Sequence, residues 1–235
     1  MSKILYLTTR VPRWSPGVQP VSARKSRLRF DTLGEAWHGV QTAPIRDIPE
    51  RARVVDDVLA RLGLAAVHLV GASTGGRHAV NLAIHAPSRI ASIAVLDPTT
   101  VTAKFSGRAI RYGLAVSVVD NDRMWRGFLR WSTGEDVLDR PDVRLVLAGI
   151  RNYRPRVPFQ KAPRDDEIRA VRMPVLAMFG ARSVVHDAAV AADRLRTLLP
   201  AADVELLPGA GHHLLARAED RDRIVGRILR FVNGS

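Results

Sequence analysis

Two rhythms of apolar and polar positions alternate along the chain. Short, mostly apolar runs at residues 4–8, 66–70, 90–96, 174–179 and 203–207 have the length and character of buried strands. Residues 27–31 form a sixth candidate strand that ends at Asp31-Thr32-Leu33-Gly34. Between these runs apolar residues recur at helical spacing. Val54, Val55, Val58, Leu59 and Leu62 form one such stripe, with Asp47 as N-cap, Pro49 in the first turn and Gly63 as the stop. Residues 77–86, 188–199 and 219–232 read as three further helices. Residues 9–27, rich in Pro, Ser and Arg, read as loop or a poor helix.

Strands that alternate with helices predict an α/β fold with a mostly parallel sheet covered by helices on both faces. Residues 99–168 break the rhythm. They hold Trp125, Phe128 and Trp131 in a helix-like stretch, followed by a loop rich in Pro and Arg through residue 159. The segment is expected to be a helical cap inserted over the strand ends, with residues 1–98 and 169–235 as the core.

Composition narrows the class. At 46% hydrophobic and 25% charged the chain suits a globular protein, and no apolar run approaches the length of a bilayer span. The N-terminal residues lack the apolar core of a secretory leader, and the chain has no Cys, so neither a disulfide framework nor a thiolate metal site is expected. A cytoplasmic location follows as the expectation. The net charge of +13 raises the possibility of a nucleic-acid partner. The basic residues are scattered, however, and only residues 24–29 and 151–169 are locally dense, with no nucleic-acid-binding motif beside them. A dedicated nucleic-acid function is not expected.

The strongest chemical signal is Gly71-Ala72-Ser73-Thr74-Gly75, a G-x-S-x-G between a candidate strand and a candidate helix. Small residues two before and two after the serine let neighbouring segments close in on a tight turn. The Ser73 hydroxyl then stands clear at the sheet edge. The Thr74 backbone N–H lies near the positive helix end, where it can stabilise an oxyanion. A serine hydroxyl is a weak nucleophile and needs a base. His212, in Gly209-Ala210-Gly211-His212-His213 after the last strand, can supply one, and its neighbour His213 is expected to point elsewhere. His68, His78 and His85 read as structural, and Arg77 as a solvated helix residue.

From residue 27 to the C-terminus these features resemble the α/β-hydrolases. The chain is most similar to carboxylesterases of the naproxen-cleaving type and to the esterase-like acyl-transfer enzymes near them. The shared landmarks are D-T-L-G at 31–34, H-L-V-G-A-S-T-G-G at 68–76, A-P-S-R-I-A-S-I-A-V-L at 86–96, D-D-E-I-R-A-V-R-M-P-V-L at 165–176 and P-G-A-G-H at 208–212. The resemblance implies an α/β-hydrolase fold, an ester-cleaving or related acyl-transfer reaction on a small-molecule acyl substrate, and no cofactor.

Two departures from the family pattern stand out. Family members carry His-Gly after an early strand, where a backbone N–H completes the oxyanion hole. Here Thr8-Thr9-Arg10 follows that strand. The Thr9 backbone is the candidate donor, and the N-terminal part of the family sheet reads as shortened. The family acid, three residues beyond the glycine that ends a central strand, falls on Ser183. Asp97, at the end of the strand after the nucleophile strand, and Asp187, on the same loop as Ser183, are the two candidate replacements. Loss of the acid is the third possibility.

The expectation is therefore a serine carboxylesterase that acts through Ser73, His212 and Asp97, with Asp187 as alternative acid, Thr74 and Thr9 at the oxyanion, and Trp125 and Phe128 lining an acyl pocket or packing on the sheet. Its rivals are a degenerate hydrolase kept as a binding module, and an acyltransferase that uses the same Ser and His.

Overall fold

A computed structural model describes residues 3–8, 26–31, 41–153, 157, 161–215 and 218–234, giving the backbone alone for residues 6–8, 26–31, 142, 218 and 219. Six strands form one sheet: β1 (Lys3–Thr8), β2 (Ser26–Asp31), β3 (Val67–Ala72), β4 (Ile90–Leu96), β5 (Val175–Gly180) and β6 (Asp203–Leu207). Every neighbouring pair is parallel, in the order β2-β1-β3-β4-β5-β6. The chain moves outward from β1 to β2, then returns to the other side of β1 and continues from β3 to β6. Such a reversal opens a crevice beyond the carboxyl ends of the strands.

The central strands alternate between two cores, as period-two side chains must. Leu69, Ile93, Val95, Ala177 and Phe179 face one cluster, where they meet Val55 and Leu59 of α1 (Ile48–Arg61), Ala79 and Leu82 of α2 (Thr74–His85), and Ala191 and Leu195 of α7 (Ala188–Leu198). Val70, Ala94, Leu96, Leu176 and Met178 face the other, against Ile224, Ile228 and Val232 of α8 (Ala218–Gly234). Fully burying one such side chain stabilises by about 1.5–3 kcal/mol. The mostly apolar runs of β3, β4 and β5 follow directly from burial on both faces.

Local chemistry sets the element ends. Asp47 caps α1 by accepting the Glu50 N–H at 2.6 Å. The second helix starts three residues before the expected 77, because the glycines after Ser73 lie in its first turn. A Cβ at Gly76 would press on the Gly71 carbonyl and the Pro98 ring, so only glycine lets the turn pack this closely.

Residues 99–168 hold α3 (Gly107–Val118), α4 (Asp122–Thr133), α5 (Pro141–Asn152) and all but the last residue of the short α6 (Asp165–Arg169). The expected loop through residue 159 is corrected by α5, whose proline sits in its first turn and whose Leu147 is buried. Val116, Trp125, Leu138 and Leu147 form a third core, separate from the two on the sheet. No described helix is long and apolar enough to cross a membrane.

Candidate active site

The turn after β3 carries Ser73 with φ 52° and ψ −120°, left-handed backbone that a non-glycine residue adopts at a cost of order 1–3 kcal/mol. The neighbouring strand holds it there. The Ser73 N–H donates to the Leu96 carbonyl at 2.8 Å, and the Thr99 N–H donates to the Ser73 carbonyl at 3.3 Å. Gly71 has no room for a side chain, since a Cβ would run into the Gly75 carbonyl. The Thr74 N–H is one of the first-turn donors of α2, which have no acceptor within the helix.

Asp97 follows the last residue of β4, also with positive φ, at 44°. Its N–H donates to the Met178 carbonyl on β5 at 2.7 Å, which fixes the residue between two central strands. Its side chain has no solvent exposure. Four donors meet the carboxylate. His212 Nδ1 lies 2.6 Å and Ser183 Oγ 2.8 Å from Oδ2; His186 Nε2 and the Gly180 N–H each lie 3.2 Å from Oδ1. Burial alone would raise the carboxyl pKa. The hydrogen bonds that His186 and His212 direct at the carboxylate outweigh it and hold Asp97 well below the ordinary carboxylate range.

His212 must reach from the loop after β6 across β5 and β4 to Ser73. The loop crosses directly over the end of β5, where a Cβ at Gly180 would collide with the carbonyls of Ala210 and Gly211. The Ala181 N–H donates to the Leu207 carbonyl at 3.0 Å and the Arg182 N–H to the Ala210 carbonyl at 2.9 Å, tying the two loops together. His212 arrives buried, with Nε2 2.9 Å from Ser73 Oγ. A buried ionised carboxylate can only accept, so Nδ1 of His212 carries the proton and Nε2 presents its lone pair to the hydroxyl. The arrangement can take a proton from Ser73 and hold the resulting imidazolium beside a fixed negative charge.

The other sequence-derived candidates lie elsewhere. Asp187 is exposed and caps α7 by accepting the Val190 N–H at 3.0 Å. His213 is exposed, its ring packed edge-to-face with that of His212 at 5.0 Å between centroids. Trp125 is buried in the third core and donates its indole N–H to Asp120 at 2.7 Å, with Phe128 edge-on at 5.8 Å. Trp125 thus fills the interior of the helical segment, and Phe128 packs half-buried against it. Arg77, expected in solvent, is buried and donates to the Thr100 hydroxyl, because the turn after Asp97 folds over this side of α2. His68 pairs with Ser92 across β3 and β4 at 2.8 Å. Thr9 lies outside the described residues. Sequence reasoning missed His186 as a partner of Asp97. The available signal was modest: a histidine on a loop at the same sheet edge as Ser73 and Asp97.

A family model described as alpha/beta hydrolase fold matches residues 38–139. Together with the sheet order and the position of Ser73, this decides the fold. The chain has the α/β-hydrolase fold. Carboxylesterase YbfK of Bacillus subtilis is 27% identical over 229 residues, covering 94% of this chain and 76% of that one. The crystal structure of that carboxylesterase matches with a TM-score of 0.85 at 26% identity, covering 100% of this chain and 84% of the relative. The naproxen esterase structure from Bacillus subtilis also matches with a TM-score of 0.85, at 24% identity over 97% of this chain and 82% of that one, a likeness of fold.

Proposed function

We propose that the chain is a carboxylic ester hydrolase that works through an acyl-enzyme on Ser73. The continuous Ser73–His212–Asp97 hydrogen-bond chain carries this reading. In it, Ser73 Oγ attacks the ester carbonyl as His212 Nε2 takes its proton. The tetrahedral oxyanion is stabilised by the Thr74 N–H at the positive end of α2. His212 then protonates the departing alcohol. A water molecule gives its proton to His212 and attacks the acyl carbon, and the imidazolium returns that proton to Ser73 as the acid leaves. Asp97 keeps its charge throughout, fixing the tautomer and stabilising the imidazolium.

Asp97 is the working acid in this reading, and Asp187 the cap of α7. The carboxylate has moved one strand over, and Ser183 keeps contact with it through a hydroxyl. Residues 99–168 act as the cap over the core of residues 1–98 and 169–235. The first turn of α3 is tied to the acid loop, since the Ser106 N–H donates to the Val185 carbonyl at 2.7 Å and its hydroxyl to the Val184 carbonyl at 2.9 Å. Named relatives that are carboxylesterases support an ester as substrate, and a cytoplasmic setting accords with a chain that has no Cys.

Labelling with a fluorophosphonate probe tests the reading. Wild type and Asp187→Asn should label, Ser73→Ala should not, and Asp97→Asn should label slowest of the folded serine-bearing proteins. A folded wild type that does not label would end the hydrolase reading and favour a non-catalytic binding module.

A further inference from the structure

His186 is a second imidazole on the acid that the reaction steps above do not use. The ring is 3% exposed and sits on the loop between β5 and α7. Its Nε2 lies 3.2 Å from Asp97 Oδ1, the oxygen that His212 leaves free. Its Nδ1 is buried and has no hydrogen-bond partner among the described residues. Around it, the Phe179 ring lies edge-on at 6.2 Å and the His212 ring edge-on at 6.4 Å. Asp97 and His212 are the titratable groups that these contacts bring to it.

The two nitrogens decide its charge. Asp97 is an acceptor, so Nε2 carries a hydrogen. A second hydrogen on Nδ1 would be a buried donor with no acceptor, which costs the full desolvation of that group. The ring is therefore neutral, protonated on Nε2. It differs from His212 in this respect, whose second nitrogen faces a hydroxyl.

The two carboxylate oxygens are evenly loaded. Oδ2 takes His212 and Ser183, and Oδ1 takes His186 and the Gly180 N–H. With donors on both oxygens the carboxylate plane cannot turn away from His212. Without His186, Oδ1 would keep one backbone donor at 3.2 Å and a void beside the Phe179 ring. The remaining charge would also be less shared, so Asp97 would grip an imidazolium on His212 more tightly.

We propose that His186 is a positioning residue, a neutral imidazole that donates its Nε2 hydrogen to Asp97 and so fixes the plane of the carboxylate and shares its charge. The inference rests on Asp97 as the acid of the proposed hydrolase. The His186→Phe variant fills the space and removes the donor. It should lower kcat about tenfold with little change in KM, the loss expected for one hydrogen bond to a charged group. The acid limb of its kcat/KM profile should move to higher pH. The His186→Gln variant, whose amide N–H reaches about as far as Nε2, should restore kcat to within about threefold of wild type and return the limb toward its original position.

The experiment measures pH profiles of p-nitrophenyl ester hydrolysis for wild type, His186→Phe, His186→Gln and Asp97→Asn. A folded His186→Phe with wild-type kcat and profile overturns the inference, as does His186→Gln that is no better than His186→Phe. If Asp97→Asn retains wild-type kcat, the acid reading falls with it. If Asp97→Asn collapses while His186→Phe is silent, only the positioning role falls. Imidazole ¹⁵N spectra of wild type at pH 7, assigned against His186→Gln, serve even where His186→Phe does not fold. A bare Nδ1 on His186 is the expected result, and a protonated Nδ1 overturns it.

Discussion

Two sets of aspartates in this molecule do opposite work with the same kind of contact. At the sheet edge one carboxylate, Asp97, gathers four donors where water does not reach. In the helical segment Asp120, Asp122, Asp136 and Asp139 share Arg126, Arg130, Arg144 and Arg151 in exposed pairs of 2.7–3.3 Å. The exposed network is redundant, since Arg126, Arg144 and Arg151 each meet two aspartates. Water and salt screen every one of its bonds. The buried cluster has a single anion, and each donor would be stranded by its loss. Burial and connectivity, not the number of bonds, decide what a polar contact is worth.

The largest effect comes from the buried set. Asp97→Asn should cost about 10⁴ in kcat, because the amide can present the wrong partner to Nδ1 of His212. It should also remove a pH dependence of stability. The folded-state pKa of Asp97 lies below its ordinary value, so the unfolded chain takes up its proton first as pH falls. Its contribution is complete above about pH 4 and is lost below that as pH falls toward the folded value. Denaturant titrations of wild type and Asp97→Asn should show stability curves that converge with acidification below about pH 4. Curves that stay parallel through that range would show that Asp97 is not held in its charged form by the fold.

A smaller effect belongs to the core of the helical segment. Trp125→Ala should destabilise by about 3–5 kcal/mol, because it empties the centre of the third core and leaves the Asp120 oxygen without its indole donor. Thermal unfolding followed by near-UV dichroism checks this. A loss below about 1 kcal/mol would mean that this core collapses around the gap. Smallest of all is Arg126→Gln in the exposed network. Its Tm should shift by no more than about 2 °C, and 0.5 M NaCl should erase most of that shift. A drop of 8 °C that persists in high salt would turn the comparison around and make the network structural.

Much of the core was legible in the sequence because burial on both faces writes continuous apolar runs. The strands after residues 66, 90, 174 and 203 stood out for that reason, as did the serine between two small residues. The helical segment was harder. Its helices α3 and α5 carry apolar residues on several sides, with Val116 and Leu147 buried but Ile110, Leu114 and Leu145 exposed, so no single stripe marked their inner faces. The choice between Asp97 and Asp187 was also open. Both lie at strand or helix ends where an aspartate caps and turns equally well, and only the path of the backbone separates them. Asp187 faces its own helix, whereas Asp97 is turned inward by a positive φ that no composition rule announces. Arg77 failed for a related reason, since the turn that covers it is distant in sequence by more than a helix.

In the proposed triad, the position of Asp97 just after β4 has a consequence for how the site comes together. Ser73 and Asp97 belong to one strand–helix–strand unit, β3-α2-β4, and lie 24 residues apart, against 110 for Ser73 and Ser183. Contacts between residues close in the chain carry a small loop-closure penalty and form early. A folding nucleus built on this unit would set the nucleophile and the acid side by side before the C-terminal third of the chain is in place. The histidine alone would arrive late, delivered by the last strand, so that the hydroxyl stays unactivated until the sheet is complete.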